Sequence, residues 1–252
     1  MSAPESVSPD QLADVVRPVL PHALVAFDVD GVLAPLVDHA DESTLIDGVH
    51  GDLTSLSALT EVAIVSGRSL ESLERLFAFP STLHVIGSHG LETRGVDAPV
   101  LDDDEQYTFE QLEIIGNRGA EAAGPGAWLE YKPASVVLHT RTADPALAAP
   151  AIDAVANLAN MIDGATVKPG SNVVELLART ASKGTALMTL SSRLARRPIV
   201  YLGDDVTDEE AFRSMGVDDV SVRVGSGESS APTRLADAAA ATHVLALLAR
   251  GC

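Results

Sequence analysis

The chain has 252 residues, 46% of them hydrophobic and 21% charged, which is enough for one large domain or for a core with a smaller domain beside it. Its formal net charge of −19 repels nucleic acid and anionic membranes. Neither is an expected partner, and any phosphorylated ligand would need local positive charge from a metal or from a few Lys and Arg. The one cysteine, Cys252, excludes an internal disulfide and a cysteine-based metal site, and no apolar run reaches membrane-spanning length.

The opening residues, MSAPESVSPDQLADVV, carry Glu5 and Asp10 and lack an apolar signal core, so a flexible segment over 1–20 and a cytoplasmic location are expected. ALVAFDVD (23–30) is an apolar, β-branched run that predicts a buried parallel strand ending in two acids. A helix is predicted over 52–60 from Leu53, Leu56 and Leu59, then a strand over 61–68, EVAIVSGR. A helix over 69–77 follows, with Ser69 as N-cap, and a strand over 83–90 ends in glycines. This β–α–β–α–β order predicts a doubly wound α/β core. The polar run 95–106 is expected to be a loop. A helix over 109–123, a hairpin around Lys132–Ser135, a helix over 145–162 and two strands joined by a Pro-Gly turn over 166–177 then suggest an inserted domain at 107–178. Core texture returns from Lys183: a helix, the strand PIVYLGDD (198–205), a helix capped by Thr207 with Glu210, the strand SVRVG, and one or two closing helices. The core is therefore expected over 21–106 and 179–252.

Several predicted strands end in polar groups: Asp28 and Asp30, Ser66, and Asp204 with Asp205. In an open parallel sheet such groups gather at the carboxyl ends of the strands, near the point where strand order reverses. Taken alone, DVDG also suits a solvent turn; GDDVTDEEAF in the same strand-end context favours chemistry. A carboxylate can attack phosphorus and form an aspartyl-phosphate, provided that a cation offsets the repulsion between anions. Asp28 suits the nucleophile and a Mg²⁺ ligand, Asp204 a second ligand, and Asp30 the acid that protonates the leaving alcohol and then deprotonates water. Gly31 permits a sharp turn, and Ser66 and Lys183 can hold phosphate oxygens.

DVDGVL, SGR, KG and GDDVTDEEAF, in that order, resemble the haloacid-dehalogenase (HAD) phosphatase superfamily. With GSHGLE (87–92), WLEYKPASVVLHTR (128–141), VVEL (174–177) and RVG (223–225), the chain is similar to trehalose-6-phosphate phosphatases from about residue 23 to about 248. The resemblance implies a Rossmann-like parallel-sheet core with an inserted α/β cap of the C2 type. It implies hydrolysis of trehalose 6-phosphate, in trehalose biosynthesis, through an aspartyl-phosphate. Mg²⁺ would lie on Asp28, Asp204 and the backbone carbonyl of Asp30, with phosphate on Ser66 and Lys183. Sugar hydroxyls would meet Glu130, Lys132 and Glu175. Val32 stands where the family usually has threonine, Leu177 and Ala178 where it often has arginine and proline, and Ser171 and Asn172 near a usual lysine, with Lys168 upstream.

Other positions stay open between two readings. His89 either orients the phosphate loop or is satisfied near the core rim. Arg68, after Ser66 and Gly67, either reaches the cap or sugar or pairs with Glu71 or Glu74. His139 and Arg141 alternate on one strand face, near substrate or at the surface. Asp205 and Asp208 are expected to support the metal ligands. Another sugar phosphate or glycosyl-glycerate phosphate is the alternative substrate. A non-catalytic sugar-phosphate sensor would be expected to lack Asp28, Asp30, Lys183 or Asp204, and all four are present. The sequence sets no oligomeric state, and a monomer is compatible with it.

Overall fold

The computed structural model describes residues 4–37, 39–97, 100–195 and 198–251, so Cys252 lies outside the described residues. Two compact units emerge: Met1–Val96 with Ala181–Cys252, and Asp97–Thr180. The first unit opens with β1 (Glu5–Ser6), α1 (Pro9–Val16), β2 (Leu24–Phe27), α2 (Val49–Ser57), β3 (Glu61–Val65), α3 (Leu70–Phe77), β4 (His84–Gly87) and β5 (Glu92–Thr93). The second contains α4 (Asp103–Ala123), β6 (Trp128–Lys132), β7 (Ser135–His139), α5 (Pro145–Ala159), β8 (Thr166–Gly170) and β9 (Val173–Leu177). The chain then returns to the first unit with α6 (Lys183–Arg193), β10 (Ile199–Gly203), α7 (Val206–Ser214), β11 (Val220–Val224), β12 (Thr233–Leu235) and α8 (Ala238–Ala249).

The first unit is built on one sheet in the order β1-β12-β11-β10-β2-β3-β4-β5, parallel except for the β4–β5 pair. Alternation along the strands sends Val25, Phe27, Val62, Ile64, Val200 and Leu202 to one face, where they pack with α1, α2, α3 and α8. Leu24, Ala26, Ala63, Val65 and Tyr201 go to the other, under α6 and α7. Both faces are covered, which is why the central strands read as unbroken apolar runs. Strand order reverses at β2: β3 and β4 follow on one side, β10 and β11 on the other. Phe27 pairs with Leu202, so β2 and β10 deliver Asp28 and Asp204 side by side at this switch point.

The second unit is a four-stranded antiparallel sheet, β6-β7-β9-β8. Leu129, Val136, Leu138, Val174 and Leu176 pack with Leu112 and Ile115 of α4 and Val155 and Ala159 of α5. Alternate residues, including Trp128, Glu130, Lys132, His139 and Glu175, lie on the opposite face.

Several local expectations are corrected. Residues 5–6 and 9–16 of the supposed flexible start form β1 and α1. Ser8 and Gln11 make a capping box, and Leu12, Ala13 and Val16 are buried. Polar composition concealed the start of α4 at Asp103, where Asp102 caps and Glu105 closes a second box within the run expected to be a loop. The β8–β9 turn is Ser171–Asn172, not Pro-Gly: Asn172 adopts φ 57°, a conformation asparagine tolerates, and Pro169 sits in β8 because an edge strand can lack a ladder donor. The cap of α7 is Asp205 with Asp208, not Thr207 with Glu210. Residues 233–235, expected in a closing helix, form β12 and pair with β11. Among the described residues no helix is long and apolar enough to cross a membrane.

Candidate active site

Asp28 follows β2 directly and is 5% exposed. One carboxylate oxygen accepts the Val29 amide at 2.7 Å and the other the Lys183 ammonium at 2.6 Å. Lys183 is the first residue of α6 and 2% exposed. A cation at a helix N-terminus opposes the helix dipole, so this placement is not a device for helix stability. Its second partner is Asp208, at 2.8 Å.

Asp208 organises the cluster. Its Oδ1 accepts Lys183 and the Tyr201 hydroxyl at 2.5 Å, while its Oδ2 accepts the amides of Asp204 at 2.9 Å and Asp205 at 3.0 Å. Four donors fill the four lone-pair positions of the carboxylate. Burial works to raise the Asp208 carboxyl, but Lys183, Tyr201 and the amides outweigh it and hold it below its usual value. Burial pushes Asp28 well above the carboxylate range despite Lys183, with Asp208 and Asp204 adding repulsion. Burial likewise raises Asp204 to about 7, reinforced by Asp208. For the Lys183 ammonium, burial is the opposing influence, and Asp28 and Asp208 override it to hold the group above its usual value.

Oxygens of Asp28, Asp204 and Asp208 lie within 4.8 Å of one another, a grouping able to hold a metal ion. Because the lone pairs of Asp208 are taken, the donors suited to a cation are the carboxylates of Asp28 and Asp204, hard oxygens of the kind Mg²⁺ takes. Burial and neighbouring carboxylates, Asp208 above all, raise both acids, and a divalent cation would reverse that balance. The Asp204 carboxylate also explains Gly31. A Cβ there would stand 1.9 Å from Asp204 Oδ2, and φ is +75°. The left-handed backbone and the acid of GDD together favour glycine in DVDG.

Asp30, half-buried, is gripped by Arg68: Nε donates to Oδ2 at 2.6 Å and Nη2 to Oδ1 at 2.7 Å, with Ser43 Oγ adding a donor at 3.1 Å. Arg68 also donates to the Ala40 carbonyl at 2.8 Å and stands over the Phe77 ring. Arg68 thus pairs with Asp30 rather than with Glu71 or Glu74, since its planar fork matches that carboxylate. Ser66 is buried at the end of β3, its hydroxyl accepting the Arg68 amide at 3.2 Å and its carbonyl the His89 amide at 3.0 Å. The His89 ring lies where a Cβ on Gly67 would be, 2.6 Å away. His89 therefore packs on the Ser66–Gly67 loop, held there by a turn in which Ser88 and His89 both have positive φ. Asp205, exposed, caps α7 through the Val206 amide at 2.6 Å.

The remaining predicted residues belong to the second unit. Lys132 and Glu175, both nearly buried, pair at 3.2 Å, and Ser135 Oγ donates to the same Glu175 oxygen at 2.7 Å. Glu130 meets His139 Nε2 at 3.0 Å. Burial raises the Glu130 carboxyl, but His139 and Lys132 outweigh it and leave it below its usual value. Lys168 pairs in register with Glu175 across β8 and β9. Asn172 occupies the exposed turn, its carbonyl accepting the amide and hydroxyl of Thr140, each at 3.0 Å. Arg141 is not on the His139 strand face; β7 ends at His139 and Arg141 follows in an exposed turn. Sequence reasoning missed Tyr201 and Ser43. Tyr201 reads as one more apolar strand residue, and Ser43 lies 13 residues from Asp30 in a segment without periodicity.

The family pattern described as trehalose-phosphatase matches residues 26–239. A trehalose-phosphate phosphatase of Mycobacterium marinum is 32% identical over 241 residues, covering 87% of this chain and 59% of its own. The chain thus spans about three fifths of the length of that relative. The trehalose-6-phosphate phosphatase of Escherichia coli K12 is 32% identical over 225 residues, covering 83% of this chain and 80% of its own. In fold, the C-terminal domain of a trehalose-6-phosphate phosphatase from C. albicans superposes with a TM-score of 0.79 at 22% identity, covering 100% of this chain and 99% of that one. A trehalose-6-phosphate phosphatase related protein gives 0.74 at 23%, covering 90% and 97%. The parallel sheet with acids at its switch point and the match over most of the chain lead to one assignment: the chain belongs to the trehalose-phosphatase family.

Proposed function

We propose that the chain is a Mg²⁺-dependent phosphoric monoester hydrolase that converts trehalose 6-phosphate to trehalose and phosphate, as a step of trehalose biosynthesis. The observation that carries this reading is the buried Asp28–Lys183–Asp208 cluster at the switch point, with Asp204 beside it and Ser66 on the adjacent strand. The similarity to the trehalose-phosphate phosphatase of M. marinum and the trehalose-6-phosphate phosphatase of E. coli supports the substrate.

Asp28 and Asp204, with the Asp30 carbonyl, would hold Mg²⁺, which when bound offsets the charge between the phosphate and the carboxylates. Ser66 Oγ, which accepts the Arg68 amide, can donate its proton to a phosphate oxygen, and Lys183 supplies local positive charge in a chain of net charge −19. An Asp28 oxygen attacks phosphorus as the bond from phosphorus to the sugar oxygen breaks, and Asp30 gives the leaving oxygen its proton. Asp30 then takes a proton from water, the water oxygen bonds to phosphorus, and the Asp28–phosphorus bond breaks to release phosphate. Arg68 holds Asp30 in place for both transfers.

The second unit serves as the cap that reads the sugar. The Lys132–Glu175 pair supports this role, because a nearly buried ion pair contributes little net stability yet discriminates strongly between hydroxyls that satisfy it and hydroxyls that do not. Phosphate release measured over a panel of sugar phosphates and glycosyl-glycerate phosphates, with EDTA and with Mg²⁺ restored, tests the reading. Trehalose 6-phosphate should have the highest kcat/KM, EDTA should abolish turnover, and Ca²⁺ should restore little of it. Preference for another member of the panel would replace the substrate, and full turnover in EDTA would overturn the metal.

A further inference from the structure

We propose that Trp128, stacked on His139, is an aromatic platform for a pyranose ring of the substrate, which makes it a specificity-determining residue alongside Glu130 and Glu175. The inference rests on the proposed reading of the second unit as the sugar-binding cap. Trp128 begins β6, at the edge of the four-stranded sheet, and pairs directly with His139 of β7. The indole and imidazole centroids are 4.0 Å apart with the planes only 8° from parallel. His139 is itself fixed by Glu130 at 3.0 Å. His139, itself anchored by Glu130, thus stacks against a large apolar ring.

Trp128 is nevertheless 52% exposed. An ordinary surface tryptophan tucks its ring against the protein. This one stacks on the imidazole while the residue stays half exposed, on the same face of the sheet as Glu130 and Lys132. Alternation along β6 places Trp128, Glu130 and Lys132 on one face, and the register across β7 and β9 adds His139 and Glu175. Trp128 and Glu130 are roughly 7 Å apart along the strand, about the reach of one sugar ring with its hydroxyls. A pyranose presents a face of C–H groups and a rim of hydroxyls. The first suits the face of an indole and the second suits a carboxylate. Neither a small phosphate ester nor an open-chain polyol offers both at this spacing. The platform therefore selects a phosphorylated glycoside.

Trp128 is the only tryptophan of the chain, so intrinsic fluorescence reports on it alone. Titrating the wild-type protein with trehalose, the unreactive product, should shift or quench the emission in a saturable way, while glycerol and inorganic phosphate leave it unchanged. In kinetics, Trp128→Ala should lower the ratio of kcat/KM for trehalose 6-phosphate to that for p-nitrophenyl phosphate by about tenfold, and Trp128→Phe by less than about threefold. An unaltered emission at trehalose concentrations that inhibit turnover would overturn the platform. So would an unchanged ratio in Trp128→Ala when Glu175→Ala lowers it, an outcome that leaves the cap reading intact. If the wild-type protein prefers another glycosylated phosphate, the same ratio is taken with that substrate. If it hydrolyses none, both the functional reading and the platform fail.

Discussion

Replacing Lys183 by methionine removes the one cation shared by two carboxylates. Asp28 is 5% exposed, Asp208 fully buried, and the ammonium lies 2.6 and 2.8 Å from them. Removing one partner of a buried ion pair typically costs about 3–5 kcal/mol. A ceiling exists because a stranded carboxylate can take a proton: at pH 7.5 that costs about 5 kcal/mol from a reference pKa near 3.9. Asp28, already pushed up by burial, would be the group that yields, since Asp208 keeps Tyr201 and two amides. Relief at the α6 N-terminus returns only about 0.3–1 kcal/mol, so the loss dominates. At roughly 2–4 °C per kcal/mol for a domain of this size, the midpoint should fall by about 6–20 °C. Thermal unfolding followed by circular dichroism in EDTA, wild type beside Lys183→Met, measures it. A midpoint within about 2 °C of wild type would refute the paired arrangement.

Asp28→Asn keeps the shape of the nucleophile but not its chemistry, so phosphate release should vanish while the far-ultraviolet spectrum is unchanged; retained turnover would exclude the aspartyl-phosphate. Arg68→Met frees Asp30 and should lower kcat/KM for the sugar phosphate by about 10–100-fold, but much less for p-nitrophenyl phosphate, whose leaving group needs no proton; equal losses would remove Arg68 from positioning the acid. Glu175→Leu should lower kcat/KM for trehalose 6-phosphate by about tenfold or more, and no change would show that the sugar is read elsewhere. Mg²⁺ at about 100 times its Kd should stabilise the protein by about 2.7 kcal/mol, seen as a higher unfolding midpoint that Asp204→Asn abolishes; an equal rise in that variant would place the metal elsewhere.

Much of this fold was legible because its signals are local. The strands at 24–27, 61–65 and 199–203 are covered on both faces and so appear as apolar runs, and acids at their ends mark a sheet edge where polar groups are tolerated. The β1 and β12 strands were not legible. They have two and three residues, and only pairing with each other and with β11 makes them strands. The start of α4 was hidden because its first turn is acidic, a composition shared by loops and helix N-termini.

At the candidate site the residue types that arrive at the rim, and their order, were legible in the chain: Asp28 and Asp30 two apart, Ser66 after a strand, Lys183 opening a helix, and Asp204 after another strand. Tertiary structure alone decided who partners whom. Asp208, expected only as support, takes four donors from Lys183, Tyr201 and two amides. Arg68 turns to Asp30 across 38 positions, and a Cβ on Gly31 would meet an acid 173 positions away. Local patterns follow from backbone periodicity, which neighbouring residues share. The partner of a buried charge is whichever opposite group the folded chain brings within about 3 Å, and no spacing along the sequence encodes that distance.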